Sequence, residues 1–130
     1  MIAKKINRFL FPLIVLLIDQ ILKIYLTQAY NYGENIGLRL NHLGQLLGGI
    51  LTVALSSLLT VQSNNRLAII GWGLILGGAA SNLFDRMVYG SVRDYLNFGS
   101  ILGWINLADL ALTCGVISVI TSIFRSRKLN

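Results

Sequence analysis

Five acidic residues occur in this chain: Asp19, Glu34, Asp85, Asp94 and Asp109. Two carboxylates held close together can activate water, because like charges cannot both ionise cheaply and one keeps its proton. The ionised member then serves as general base and the protonated one as acid. Asp109 follows Asn106 by three residues, the spacing of a capping-box-like helix start where the dipole favours an anion. Asp94 is the candidate second member. It lies fifteen positions earlier, so the chain must double back to join the two, and the spacing alone does not show that it does.

Other chemistries lack parts. His42 is the only histidine, too little for a histidine metal site or relay, and it reads as an interfacial loop residue. Cys114 is the only cysteine, which excludes an internal disulfide and a multi-cysteine metal site. It reads as a small buried apolar residue. A Ser-His-Asp arrangement would have to recruit His42. Gly77-Gly78 falls within an apolar stretch and is no phosphate-binding loop. Neither a metal nor a cofactor is expected; carboxylates must do any catalytic work.

The remaining polar residues supply support. Asp19 and Lys23 are four apart and share a helix face. They read as a neutralising pair, with Lys23 snorkelling to the outer headgroups. Asn82, Asp85 and Arg86 cluster at the end of another helix, where Asp85 and Arg86 read as surface charges of little energetic weight. Upstream, Gly73, Gly77 and Ala80 form a small-residue face that lets a neighbouring helix approach closely.

The elements that must position these groups follow from composition. Of 130 residues, 55% are hydrophobic and 12% charged, and mean hydropathy is +0.68. A soluble domain carries about twice that charged fraction. A soluble enzyme, a disordered chain and a nucleic-acid module are therefore excluded. Four stretches are long and apolar enough to span a bilayer: about Leu10 to Thr27, Leu43 to Val61, Leu67 to Phe84 and Leu107 to Phe124. The basic start resembles a secretory signal, but the apolar run continues through Asp19 and Lys23 without a small-residue cleavage site, so it reads as a retained span.

With the N-terminus inside, seven positive residues (Lys4, Lys5, Arg8, Arg66, Arg125, Arg127 and Lys128) fall on the cytoplasmic side. Only Arg39, Arg86 and Arg93 fall outside, so both termini are expected in the cytoplasm. This placement explains the net charge of +6 without an anionic partner. Two outer segments stand out, Gln28 to His42 and Asp85 to Ile105. The second is expected to form short strands or an amphipathic piece at the interface, where Trp and Tyr are favoured.

The string from Gly77 to Arg86 (Gly-Gly-Ala-Ala-Ser-Asn-Leu-Phe-Asp-Arg), followed by Gly90-Ser91-Val92-Arg93-Asp94-Tyr95 and Asn106-Leu107-Ala108-Asp109, resembles the lipoprotein signal peptidase family, signal peptidase II. The resemblance extends to Asp19-Gln20, Lys23 and Asn35-Ile36-Gly37. It implies a four-helix intramembrane aspartyl protease that removes the signal peptide from a prolipoprotein, just before a cysteine already carrying diacylglyceryl. By the same resemblance, Asp94 and Asp109 are the catalytic aspartates. Asn82, Arg86 and Asn106 surround the dyad or hold the substrate backbone, Asn35 contacts substrate, and Asp19, Lys23 and Asp85 support. The chain departs from the family pattern at Leu38-Arg39-Leu40, at Ser81 (usually Gly) and at Tyr95 (usually Phe), and it is short for the family.

The expected fold is thus an all-α membrane protein of four transmembrane helices, forming a single domain with a small β-like cradle and interfacial loop on the outer face. The expected setting is the bacterial cytoplasmic (inner) membrane, with the site near the outer face. The partners are a lipid-modified prolipoprotein and the phospholipid bilayer, with no nucleic acid and a monomeric state. Alternatives are a divergent relative with another membrane substrate or no catalysis, and a small proton or ion pathway. Against the pathway, the cytoplasmic halves of the four spans hold no ionisable residue.

Overall fold

A computed structural model describes residues 2–26 and 42–127. Asn35, with Glu34 and the Leu38-Arg39-Leu40 departure, lies outside the described residues, as does Lys128. The order of elements is α1 (Ile2–Leu26), α2 (His42–Gln62), α3 (Arg66–Tyr89), β1 (Leu96–Asn97), α4 (Gly99–Leu102), β2 (Trp104–Ile105) and α5 (Leu107–Arg127). Helices α1, α2, α3 and α5 are long and apolar enough to cross a membrane.

Helix α3 is the central post, packing against α1, α2 and α5. Its glycines make this possible. A Cβ on Gly77 would lie 2.6 Å from the Pro12 carbonyl oxygen of α1, and one on Gly78 would lie 2.6 Å from the Ala108 carbonyl oxygen of α5. The small-residue face therefore brings two neighbouring backbones against α3, the packing that hydrocarbon solvent favours because apolar burial alone gains little there.

The ends of α3 are set locally. Asn65 caps its start, its side chain accepting from the Leu67 N–H at 2.9 Å. Gly90 ends it in the left-handed conformation (φ 74°), its N–H donating to the Arg86 carbonyl at 3.2 Å. The helix thus continues to Tyr89, so Asp85 and Arg86 lie in its last turns with Asn82, as their spacing suggests, and the outer segment begins after Tyr89 instead of at Asp85.

After Gly90 the chain doubles back. Strand β1 pairs antiparallel with β2, Leu96 opposite Ile105 and Asn97 opposite Trp104, around the single-turn helix α4. The short strands expected in this segment are present, with a single helical turn between them. At the other end of the bundle, Arg8 Nη1 donates to the carbonyls of Thr60, Val61 and Ser63 at 2.8–3.1 Å, joining α1 to the end of α2.

Two smaller expectations are corrected. His42 opens α2 instead of lying in a loop, and the Cys114 side chain is exposed on the outside of α5 instead of buried. In hydrocarbon a thiol can face outward at little cost, so its apolar character does not imply burial.

Replacing Gly78 by Ala should overpack the α3–α5 contact and lower stability by about 1–3 kcal/mol. Gly48→Ala, where an added Cβ meets nothing within 4 Å, should leave it unchanged or raised. Thermal unfolding in detergent distinguishes the two.

Candidate active site

The site is built where α1, the end of α3, the 90–95 turn and the start of α5 converge. From α1 come Asp19, Gln20 and Lys23, from α3 Ser81, Asn82 and Asp85, from the turn Arg93, Asp94 and Tyr95, and from the α5 start Asn106 and Asp109.

Asn106 and Asp109 form the reciprocal cap their spacing suggests. The Asp109 N–H donates to Asn106 Oδ1 at 2.9 Å, and the Asn106 N–H donates to Asp109 Oδ2 at 3.2 Å. The Asn106 side-chain amide then donates to Asp94 Oδ1 at 2.7 Å and to Asn82 Oδ1 at 3.2 Å. Asn82 Nδ2 donates to Asp109 Oδ1 at 2.9 Å. Asp94 and Asp109, fifteen positions apart, are therefore joined through two buried asparagines. Both Asp109 oxygens accept hydrogen bonds. Asp94 is 5% exposed. Burial, and then the neighbouring charge of Asp109, push its carboxyl up to about 6.

Beneath this pair lies a buried ionic network. Lys23 Nζ sits 2.7 Å from Asp19 Oδ2, 3.1 Å from Asp85 Oδ2 and 3.0 Å from Asn82 Oδ1. All three charged side chains are fully buried, so Lys23 does not snorkel and Asp85 is no surface charge. A positive charge on the Asn82 carbonyl leaves the amide nitrogen aimed at Asp109; Lys23 thereby orients the group that holds the carboxylate. Asp85 also accepts from the Arg93 backbone N–H at 3.0 Å and pairs with Arg93 Nη2 at 2.8 Å. Gln20 ties in both partners, donating to Asp85 Oδ1 at 3.0 Å and accepting from Arg93 Nη2 at 2.7 Å. The Arg93 guanidinium lies 4.2 Å from the centre of the Tyr89 ring.

Arg86 does not join this cluster. It is half-buried, and its buried Nε has no hydrogen-bond partner among the described residues. The arginine that sequence reasoning passed over, Arg93, does the pairing. No signal in the sequence singled it out, because the need for a second cation follows only from the burial of Asp85 with Asp19 and Lys23. Ser81 and Tyr95, the two inner departures from the family pattern, both donate to Asp19, Ser81 Oγ at 2.6 Å and the Tyr95 hydroxyl at 3.1 Å. Burial first, and then the charge of Asp19, hold the Tyr95 phenol above its ordinary value, so it remains a neutral donor. Among the described residues, no group of three His, Cys, Asp or Glu side chains is placed to hold a metal ion.

Asp85→Asn should leave Lys23 and Arg93 under-compensated and cost about 3–5 kcal/mol. Arg86→Gln, with no partner to lose among the described residues, should stay within about 0.5 kcal/mol of the parent. Unfolding in detergent measures both.

Residues 24–125 match the family described as signal peptidase (SPase) II. A lipoprotein signal peptidase of Burkholderia multivorans is 34% identical over 136 residues, covering 83% of this chain and 81% of that protein. One from Nitrobacter hamburgensis is 42% identical over 79 residues, 55% of this chain; the match spans about half that relative's length, 48%. A solved bacterial membrane enzyme, determined by the in meso method at 1.9 Å resolution, superposes with a TM-score of 0.76 at 20% identity, covering 90% of this chain and 92% of that one. That likeness speaks for the fold, and the sequence matches speak for the lineage. This multi-pass bacterial membrane protein belongs to the signal peptidase II family.

Proposed function

We propose that the chain is an aspartyl endopeptidase of the membrane that removes signal peptides from diacylglyceryl-modified prolipoproteins, cutting just before the lipidated cysteine. The observation that carries this reading is the chain of hydrogen bonds from Asp94 through Asn106 and Asn82 to Asp109. It couples a buried carboxyl with a raised pKa to a carboxylate whose two oxygens both accept hydrogen bonds at a helix N-terminus.

In this mechanism Asp94 carries the proton and transfers it to the scissile carbonyl oxygen as water adds. Asp109 takes a proton from water, whose oxygen bonds to the carbonyl carbon and gives a tetrahedral diol. The proton on Asp109 then passes to the peptide nitrogen as the C–N bond breaks, and Asp94 regains its proton from the collapsing diol. Asn82 and Asn106 keep the two carboxyls in register. Arg86, with a donor unclaimed by the described residues, holds a substrate carbonyl, and Asn35 contacts the substrate from the first outer segment. The termini lie in the cytoplasm and the site faces the outer side of the inner membrane, as the positive residues favour. Substrate enters sideways from the bilayer, and the enzyme acts as a monomer.

A gel-shift assay on a diacylglyceryl-modified prolipoprotein in lipid tests the reading. Wild type should shorten the substrate, and Asp94→Asn and Asp109→Asn should each lose on the order of a thousandfold or more in kcat while remaining folded. Asp19→Asn should lose stability or part of the activity. Uncut substrate with folded wild type, or a fully active dyad variant, would refute the assignment.

The pH dependence has a defined sign. Catalysis needs protonated Asp94, so the rate of the free enzyme should fall as pH rises through about 6. The same shift acts on stability. The folded pKa lies above the unfolded value of 3.8, so this contribution is complete below that value and is lost as pH rises to about 6. Asp94→Asn, which cannot ionise, should therefore melt above wild type at pH 7.5.

A further inference from the structure

The first four N–H groups of a helix have no partner within it. At the start of α5, which carries Asp109, all four are accounted for. The Asn106 N–H donates to Asp109 Oδ2 at 3.2 Å and the Asp109 N–H to Asn106 Oδ1 at 2.9 Å. The Ala108 N–H donates to Asp19 Oδ1 at 3.1 Å, and the Leu107 N–H donates to the Tyr95 hydroxyl at 3.0 Å. Two of the four acceptors thus come from beyond the Asn106–Asp109 cap. One of them is the residue directly after Asp94.

Tyr95 is bound at both of its polar ends. Its backbone N–H donates to the Ile105 carbonyl at 3.2 Å, and its hydroxyl donates to Asp19 Oδ1 at 3.1 Å while accepting from Leu107. The side chain is 6% exposed, so water does not readily replace either hydroxyl contact. Asp94 is therefore attached to the helix of Asp109 by two routes: Asn106 on its own side chain, and the Tyr95 hydroxyl one residue later. Remove the hydroxyl, and Leu107 N–H and Asp19 Oδ1 each lose a partner in a buried setting, which favours a shift of the turn away from α5.

We infer that the Tyr95 hydroxyl is a positioning group of the proteolytic site, clamping the Asp94 turn to the first turn of α5 through Asp19 and Leu107 and so setting the Asp94–Asp109 separation. This rests on the aspartyl-dyad reading above. Ser81 serves as the contrast. Its hydroxyl donates to the other oxygen of the same carboxylate, Asp19 Oδ2, at 2.6 Å and accepts from Gln20 Nε2 at 2.8 Å, so among the described residues it hydrogen-bonds to neither the Asp94 turn nor α5. A role limited to satisfying Asp19 would make the two hydroxyls equivalent. A clamp makes Tyr95 matter to turnover well beyond Ser81.

Several groups face Asp94. Asp109 comes from α5, Asp19 and Lys23 from α1, and the Asp85–Arg93 pair lies between the end of α3 and the turn. Lys23 favours ionised Asp94, whereas Asp19 and Asp109 oppose it. Of these, Asp109 is the partner whose separation the clamp sets. Loosening the clamp should weaken that repulsion and let Asp94 lose its proton at lower pH.

The test uses the full chain in lipid nanodiscs with a diacylglyceryl-modified prolipoprotein, comparing wild type, Tyr95→Phe and Ser81→Ala. Tyr95→Phe preserves the ring and its packing and should fold. Its kcat should fall about tenfold or more, since small misplacements of reacting groups are costly. KM should stay within about twofold, because the hydroxyl is aimed away from substrate at Asp19 and Leu107. The alkaline limb of its rate profile should move to lower pH. Ser81→Ala should lower the melting temperature, cost kcat several-fold less than Tyr95→Phe and leave the limb in place. Wild-type kcat and limb in Tyr95→Phe, or equal kcat losses in the two variants, would overturn the inference. Asp94→Asn run alongside separates the two levels. If it is inactive while Tyr95→Phe is unaffected, only the clamp fails; if it is active, the dyad reading fails and the clamp with it.

Discussion

An ammonium group removed from water between two carboxylates constrains this structure more than any other contact. Lys23 is fully buried against Asp19 and Asp85, and Asp85 is shared with Arg93. Each of these charges would be prohibitively costly at such depth without its partners, so they occur together or not at all. Because the four residues come from α1, α3 and the turn after it, satisfying them fixes how those elements meet. The network is also balanced, two acids against two bases. Among the described residues, no salt bridge reaches Asp94 or Asp109 above it.

Asparagine is the material that connects support to chemistry. Its amide has a donor end and an acceptor end, and a charge near one end decides where the other points. Lys23 claims the Asn82 oxygen and thereby turns its nitrogen to Asp109. Asn106 uses its oxygen to cap α5 and its nitrogen to reach Asp94. An interaction formed deep in α1 thus orients the carboxylate at the top of α5 without touching it. Asp19 contributes from the other side, accepting from the α5 backbone and from Tyr95.

The membrane inverts the usual logic of a core. The largest fully buried side chains here are polar: Lys23, Asn106, Thr60, Asp19, Asp85, Ser56 and Ser81. Leucines and isoleucines of α1, α2 and α5 face outward, into what would be acyl chains. Apolar burial cannot choose between helix and lipid as neighbour, so close backbone contact at Gly77 and Gly78 and polar pairing at the active end supply the specificity.

The sequence by itself determined what depends on local order along one helix or on composition. Long apolar runs, the Asn106–Asp109 cap and the small-residue face of α3 are all legible because the contacts involved are periodic or only a turn apart. The family pattern was legible too, and it supplied the pairing of Asp94 with Asp109 that spacing alone left open. Apart from that pairing, contacts that require a partner from another element depend on the folded structure. Lys23 reads as a snorkelling residue until Asp85 arrives from α3 to hold it. Asp85 reads as a surface charge until the turn brings Arg93 back to it. Arg86 and Arg93 are indistinguishable as letters, yet only the second lies where the chain doubles back onto the buried acids. The physical reason is the range of the forces. Hydropathy and capping act within a few residues, whereas neutralising a buried charge is a long-range requirement that any suitable side chain can meet, and only the folded geometry selects which one does.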